Sequence, residues 1–182
     1  MGRVHDAIDE RLTAWIDQQH LFFVATAPSE GGHVNVSPKG FAGSFAVLGP
    51  TSVAYLDHTG SGVETIAHLH DNGRIVVMFC AFDGPPRIVR LHGSGRAVFP
   101  DDREFPALRA AFTADPGRGL RSIIQVDVDR VSDSCGYGVP MMTFEGERDT
   151  MPRWVEGKTD EQLAAYRAEK NARSIDGLAG LA

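Results

Sequence analysis

The spacing of apolar positions divides this chain into many short strands and few helices. Val4, Ile8, Leu12 and Trp15 recur at helical intervals, which predicts an amphipathic helix over residues 5–18. Residues 21–27 are rich in aromatic and β-branched side chains and predict a strand, closed by the turn Pro28-Ser29-Glu30-Gly31-Gly32. Residues 33–37 alternate, with Val34 and Val36 on one face and His33, Asn35 and Ser37 on the other. That is the pattern of a half-buried strand paired back through the turn. Residues 45–48 and 52–56 predict another hairpin about Gly49-Pro50. A helical pattern over 62–71 (Val63, Ile66, Ala67, His70) stops at Asn72-Gly73. Residues 75–79 form a continuous apolar run, so a buried strand, and Asp83-Gly84-Pro85-Pro86 turns the chain. Residues 87–99 read as a long strand bent or bulged at Gly93-Ser94-Gly95. Phe105, Leu108 and Phe112 mark a short helix starting at Asp101 or Asp102, and residues 122–131 alternate again. Residues 132–158 read as a long loop with a functional or interface role. Thr159-x-x-Gln162 is a capping-box pattern that opens a final helix with Leu163 and Tyr166 inside.

About seven strands joined mostly by short hairpins predict a mainly β, antiparallel barrel or sandwich with peripheral helices. At 182 residues the simplest organisation is one domain, 1–182, in which 132–182 form a C-terminal loop and helix extension. A net charge of −6 without any basic run argues against a nucleic-acid surface. No apolar stretch approaches the ~20 residues of a membrane span. The first residues lack the apolar core of a secretory signal, and Ala7 stands where a myristoylation pattern needs Ser or Thr. Cys80 and Cys135 form no Cys-x-x-Cys, so no disulfide framework is expected and the cytoplasm is the expected compartment.

The chemistry concentrates in two segments. In Tyr55-Leu56-Asp57-His58-Thr59-Gly60-Ser61-Gly62-Val63-Glu64-Thr65 a strand runs through a Gly-rich turn into a helix start, the geometry of an anion site. The same residues also read as a plain capping box, Ser61-x-x-Glu64, whose Ser would take the N–H groups a phosphate wants. A dinucleotide fingerprint fails here. Thr65 replaces the third glycine, polar residues separate strand from turn, and one strand-helix-strand unit stands among hairpins. In Asn35-Val36-Ser37-Pro38-Lys39-Gly40, the side chains of Asn35, Ser37 and Lys39 share one face and end in a cation. That face is either solvated or ligand-binding, and Pro38 stops pairing or marks an edge. His68 and His70 cannot chelate together on a helix, and no His/Cys/carboxylate set has zinc spacing, so no metal is expected. There is no nucleophile elbow. Cys80 reads as a buried small hydrophobe. The loop around Cys135, with Gly136, Tyr137 and Gly138, suits either a ligand or its own core.

Taken in order, these residues resemble the pyridoxamine 5'-phosphate oxidase-like, FMN-binding split-barrel family. The resemblance rests on Phe22-Phe23-Val24-Ala25-Thr26-Ala27, His33 through Gly40, Tyr55 through Thr65, and Asn72-Gly73-Arg74-Ile75-Val76-Val77-Met78-Phe79, and covers about residues 5–100. Residues 133–140 and Ser174-Ile175-Asp176-Gly177-Leu178 resemble a bacterial, oxidase-related subgroup. The resemblance implies a six-stranded antiparallel split β-barrel of Greek-key type that forms a homodimer with FMN in grooves between the chains. It implies that Asn35, Val36, Ser37, Pro38 and Lys39 lie along the flavin ring, and that Asp57, Thr59, Gly60, Ser61, Gly62, Glu64 and Thr65 hold the phosphate. The Arg-Lys pair that oxidases proper carry near this helix start is absent from Gly62-Val63-Glu64-Thr65. Charge would then come from Lys39, from Arg87 or Arg90, or from a partner chain; otherwise only N–H groups, Ser61 and Thr65 bind the phosphate. This departure, and the lack of a C-terminal basic cluster, argue against pyridoxamine phosphate oxidase activity itself. The expectation is a flavin-dependent oxidoreductase acting on a small molecule. The alternatives are a non-catalytic flavin- or ligand-binding dimer, or the same fold holding a deazaflavin or haem.

Overall fold

A computed structural model of the chain describes residues 2–181. Its strands are β1 (Arg3–His5), β2 (Phe22–Thr26), β3 (Asn35–Lys39), β4 (Phe45–Gly49), β5 (Ser52–His58), β6 (Arg74–Cys80), β7 (Ile88–Val98) and β8 (Leu120–Ser134). The helices are α1 (Glu10–Ile16), α2 (Glu64–Asp71), α3 (Phe105–Arg109), α4 (Thr150–Glu156) and α5 (Asp160–Lys170). The strands form one eight-stranded antiparallel sheet in the order β3-β2-β6-β7-β8-β5-β4, with β1 paired to the end of β8.

The sheet is strongly curled. Phe22 on β2 meets Phe45 on β4 at 5.1 Å and Tyr55 on β5 at 5.5 Å between ring centroids, although these strands are far apart in the sheet order. Inside the curl, Val24, Tyr55, Ile66, Val77, Leu91 and Ile124 are fully buried. Each contributes on the order of 1.5–3 kcal/mol by leaving water. Ile66 and Leu69 bring α2 into the same core. The bend predicted at Gly93-Ser94-Gly95 is present as a register slip between His92 and Gly93 against β8. A side chain at Gly93 would strike the Asp127 carbonyl, so only glycine allows the two long strands to pass so closely.

Three expectations need correction. The strand count is eight, not six. One added strand is β1, which overlaps the expected helix only at His5 and takes up Val4 from its apolar period. The Asp9 carboxylate accepts the Leu12 N–H at 2.7 Å and starts α1 at Glu10, leaving Val4 exposed on a strand. Residues 132–158 are also less irregular than expected. There β8 continues to Ser134 because β7 and β1 flank it, and α4 follows. Thirdly, the alternating strand is turned over: Val34 and Val36 are exposed, and the half-buried face is Asn35, Ser37 and Lys39. The capping box at Thr159 is fully formed.

Candidate functional site

The inversion of β3 builds the site. In register with β2, Lys39 lies opposite Phe22, Ser37 opposite Val24 and Asn35 opposite Thr26. Cross-strand partners share a face, so the polar row faces inward with the buried residues of β2. It does so at the edge of the sheet, where the packed core gives way to an opening beside α2. Pro38 is tolerated because β3 pairs on one side only.

The opening is a cleft of about 250 Å³ lined by Asn35, Ser37, Pro38, Lys39, His58, Gly60, Gly62, Glu64, Thr65 and Arg121. Two segments read separately from the sequence thus converge. Ser37 Oγ donates to Asn35 Oδ1 at 3.2 Å, and Asn35 Nδ2 reaches Thr65 Oγ1 at 3.2 Å. Behind them Thr26 Oγ1 and His68 Nδ1 are 2.9 Å apart in the core. Burial keeps the His68 imidazole below its ordinary pKa, so it is neutral, and its Nε2 has no partner. The Tyr55 hydroxyl, also fully buried and unpartnered, faces the Thr65 side chain without the geometry of a hydrogen bond.

Asp57, only 1% exposed, is the electrostatic anchor. Lys39 Nζ donates to its Oδ1 at 3.2 Å, and Arg121 Nε and Ser122 Oγ to its Oδ2 at 2.8 and 3.1 Å. Burial alone would raise this carboxyl, but Lys39 and Arg121 outweigh it and hold it below the ordinary carboxylate range. Asp57 therefore holds the two cations from behind and does not itself line the cleft.

Arg121 is the cleft residue that sequence reasoning missed. Asp57 pairs with Ser122 but His58 pairs with Leu120, so Arg121 is the extra residue of a bulge, re-aimed toward the cleft. Its Nη1 also donates to the Gly62 carbonyl and to Asn171 Oδ1, both at 2.9 Å. Arg87 and Arg90 lie elsewhere, bonded to Asp133 and Ser134 near the end of β8, and do not supply the cleft with charge. Asn171 Nδ2 donates to the Gly60 carbonyl at 2.9 Å, and the Ile175 N–H to Glu64 Oε1 at 3.3 Å, tying the C-terminal segment beside the cleft.

Three other expected site residues fall outside the lining. Val36 points outward, Ser61 is exposed, and Thr59 is buried with its Oγ1 accepting from Arg167 Nε at 2.8 Å. The Ser61-Glu64 capping box does not form: Val63 occupies the N-cap position of α2 and no side chain caps it. That leaves the first turn of the helix without a side-chain cap beside the cleft. Among the described residues no His, Cys, Asp and Glu group is placed to hold a metal ion, and no helix is long and apolar enough to cross a membrane.

Comparison with known proteins agrees with this architecture. The family model described as pyridoxamine 5'-phosphate oxidase matches residues 8–135. The pyridoxamine 5'-phosphate oxidase family protein ustO of Aspergillus flavus is 41% identical over 193 residues, covering 97% of this chain and 77% of that one. Among solved structures, a FAD-binding protein of Mesorhizobium loti superposes with a TM-score of 0.51 at 15% identity, over 73% of this chain and 95% of that one. An FMN-binding protein of Syntrophomonas wolfei subsp. wolfei gives 0.50 at 14% identity, over 66% and 80%. At these identities the structural likeness is one of fold.

Proposed function

The chain belongs to the pyridoxamine 5'-phosphate oxidase family, and on that footing we propose that it is a flavin-dependent oxidoreductase, with FMN as cofactor, acting on a small molecule. The carrying observation is the convergence of Asn35, Ser37 and Lys39 with Gly60, Gly62, Thr65 and Arg121 on one cleft. The residues fit a flavin nucleotide in kind. Lys39, Arg121, the Thr65 hydroxyl and the uncapped start of α2 suit a phosphate. The hydrogen-bonding row of β3, Asn35, Ser37 and Lys39, suits the edge of a flavin ring.

In size the fit is partial. Sites that enclose a whole ligand run to ~300–1,000 Å³, and this cleft is smaller. The single chain therefore encloses part of the nucleotide, and a second copy covers the rest. The proposed assembly is accordingly a homodimer of split barrels. The bound flavin supplies two-electron acceptance and return. The chain binds the phosphate, orients the ring along Asn35 to Lys39, and keeps a neutral imidazole, His58, at the cleft wall.

Equilibrium titration of the purified protein with FMN, read by flavin fluorescence, tests this. One FMN per chain is expected, with Lys39→Ala and Thr65→Val each weakening binding about tenfold, or ~1.4 kcal/mol. Unchanged retention in both variants overturns the placement, and failure to take up FMN overturns the reading. Anaerobic bleaching by a reduced nicotinamide cofactor is the expected sign of turnover.

A further inference from the structure

His58 belongs to two cavities. One is the cleft described above. The other, about 520 Å³, lies on its far side, lined by Phe41, Ala42, Ala114, Pro116, Met151 and Val155 with a rim of Asp115, Glu147 and Glu156. We propose that this second pocket binds a small organic cation with an apolar body, carrying no phosphate, and that it is the substrate pocket of the flavin site. The substrate role rests on the flavin reading; the binding does not.

Three observations carry the assignment. The first is charge. Asp115 and Glu147 each commit one oxygen, to the Gly117 and Ala42 N–H groups. The rim's cation, Arg118, is already paired with Asp160 at 2.9 Å and spends its other donors on the Val155 and Lys158 carbonyls. The rim is therefore net negative, opposite to what an anionic or phosphorylated ligand needs. The second is strain. Phe41 has φ of 75°, the left-handed region, and among the described non-glycine residues it stands alone in this. Such a conformation costs on the order of 1–3 kcal/mol and persists where the surroundings demand it. Here it sets the Phe41 ring edge-on to His58, with centroids 5.4 Å apart, at the wall between the cavities. The third is the imidazole itself. Burial lowers the His58 pKa, Asp57 opposes this, and Lys39 and Arg121 reinforce it. Among the described residues none hydrogen-bonds the ring, and it lines both cavities, so a ligand in either can reach it. A substrate body seated on Phe41 and Val155 would thus lie within reach of both the rim carboxylates and the cofactor cleft.

Isothermal titration of the full chain, with and without FMN, against tyramine, 4-ethylphenol and 4-hydroxyphenylacetate tests the assignment. Tyramine is expected to bind at least tenfold tighter than the neutral analogue, and the anion weakest. Glu156→Lys, at an exposed position ending α4, is expected to erase the preference while FMN retention is unchanged. The His58 ring resonances should shift on tyramine addition. Equal affinities for tyramine and 4-ethylphenol, or no effect of Glu156→Lys, overturn the proposal. FMN binding without amine binding removes the pocket and leaves the flavin reading. Amine binding without FMN binding does the reverse.

Discussion

Two cavities meet at His58, and they are built on opposite principles. The cleft is polar, held by strands and one helix, and its two cations are fixed by a buried carboxylate. The second pocket is walled by apolar side chains from loops and α4, and its carboxylates sit at an exposed rim. The first arrangement is suited to fixing a ligand's position at a high energetic stake, because Asp57 and Arg121 are almost fully desolvated and Lys39 largely so. The second can change its rim at little cost to the fold, because exposed charges contribute little to stability. In this architecture the cleft is the constant part and the pocket the adjustable one.

The sharpest way to break that comparison is Asp57→Ala. It leaves Lys39 and Arg121 facing each other without their shared carboxylate, one of them 5% exposed. A loss of about 3–5 kcal/mol is expected in urea unfolding, together with loss of FMN binding. Glu156→Lys on the pocket rim should stay within ~0.5 kcal/mol of wild type in the same assay. A small effect of Asp57→Ala would show that the cleft is no more rigidly held than the pocket.

The same carboxylate sets an acid limit. The folded Asp57 carboxyl titrates below its ordinary value of 3.8, so the unfolded chain takes up the proton first as pH falls. Its contribution is whole above that value and is lost as pH drops through the folded pKa. His58 and His68 act higher on the scale. Both have folded values below the ordinary 6.5, so stability from keeping them neutral is whole above that pH and declines below it. Urea midpoints measured from pH 8 downward should therefore be level, begin to fall near 6.5, and fall again below 4. Asp57→Asn should shrink the lower step, to which Asp71, Asp133 and Asp176 also contribute, and keep the upper one.

Asn171→Ala addresses the boundary of the cleft. The side chain gives one hydrogen bond to the Gly60 carbonyl and takes one from Arg121, and it is fully buried. The expected cost is about 2 kcal/mol, since one of the two bonds involves a charge. FMN affinity should fall as well, because Gly60 and Arg121 lose a common support. Unchanged affinity would assign the C-terminal segment to stability alone.

How far each region could be read from the sequence follows the same division. The cleft was largely legible. Asn35, Ser37 and Lys39 announced a shared polar face by period-two spacing, and Gly60 to Thr65 announced a strand-to-helix turn. What could not be read was which way that face points. Alternation gives two faces without saying which is inward, and register with Phe22, Val24 and Thr26 decides it. Arg121 escaped because a bulge has no spacing signature: one extra residue between Leu120 and Ser122 turns a flanking Arg into the partner of Asp57. The helix expected over 5–18 shows a third limit. Val4 fits a helical period with Ile8 and Leu12, yet pairing with Ser132, far along the chain, outbids local preference. The second pocket had no signal of its own. Phe41, Ala114 and Val155 come from three separate segments, and residues 132–158 offered no periodicity by which to place Glu147.

The smallest predicted effect is also the most discriminating between the two cavities. Phe41→Gly removes a side chain from a left-handed backbone position, which glycine adopts without steric cost. Relief of strain favours the folded state, while the freer unfolded chain and the lost ring contact with His58 oppose it. These terms are each about 1 kcal/mol and of opposite sign, so the urea midpoint should barely move. If the strain exists to wall the pocket, amine affinity should nevertheless fall about tenfold while FMN affinity stays within twofold. If Phe41 were only a packing residue, stability would drop by part of the ~3–5 kcal/mol that truncating a fully buried Phe costs, since Phe41 is half-buried, and the binding of both ligands would weaken together.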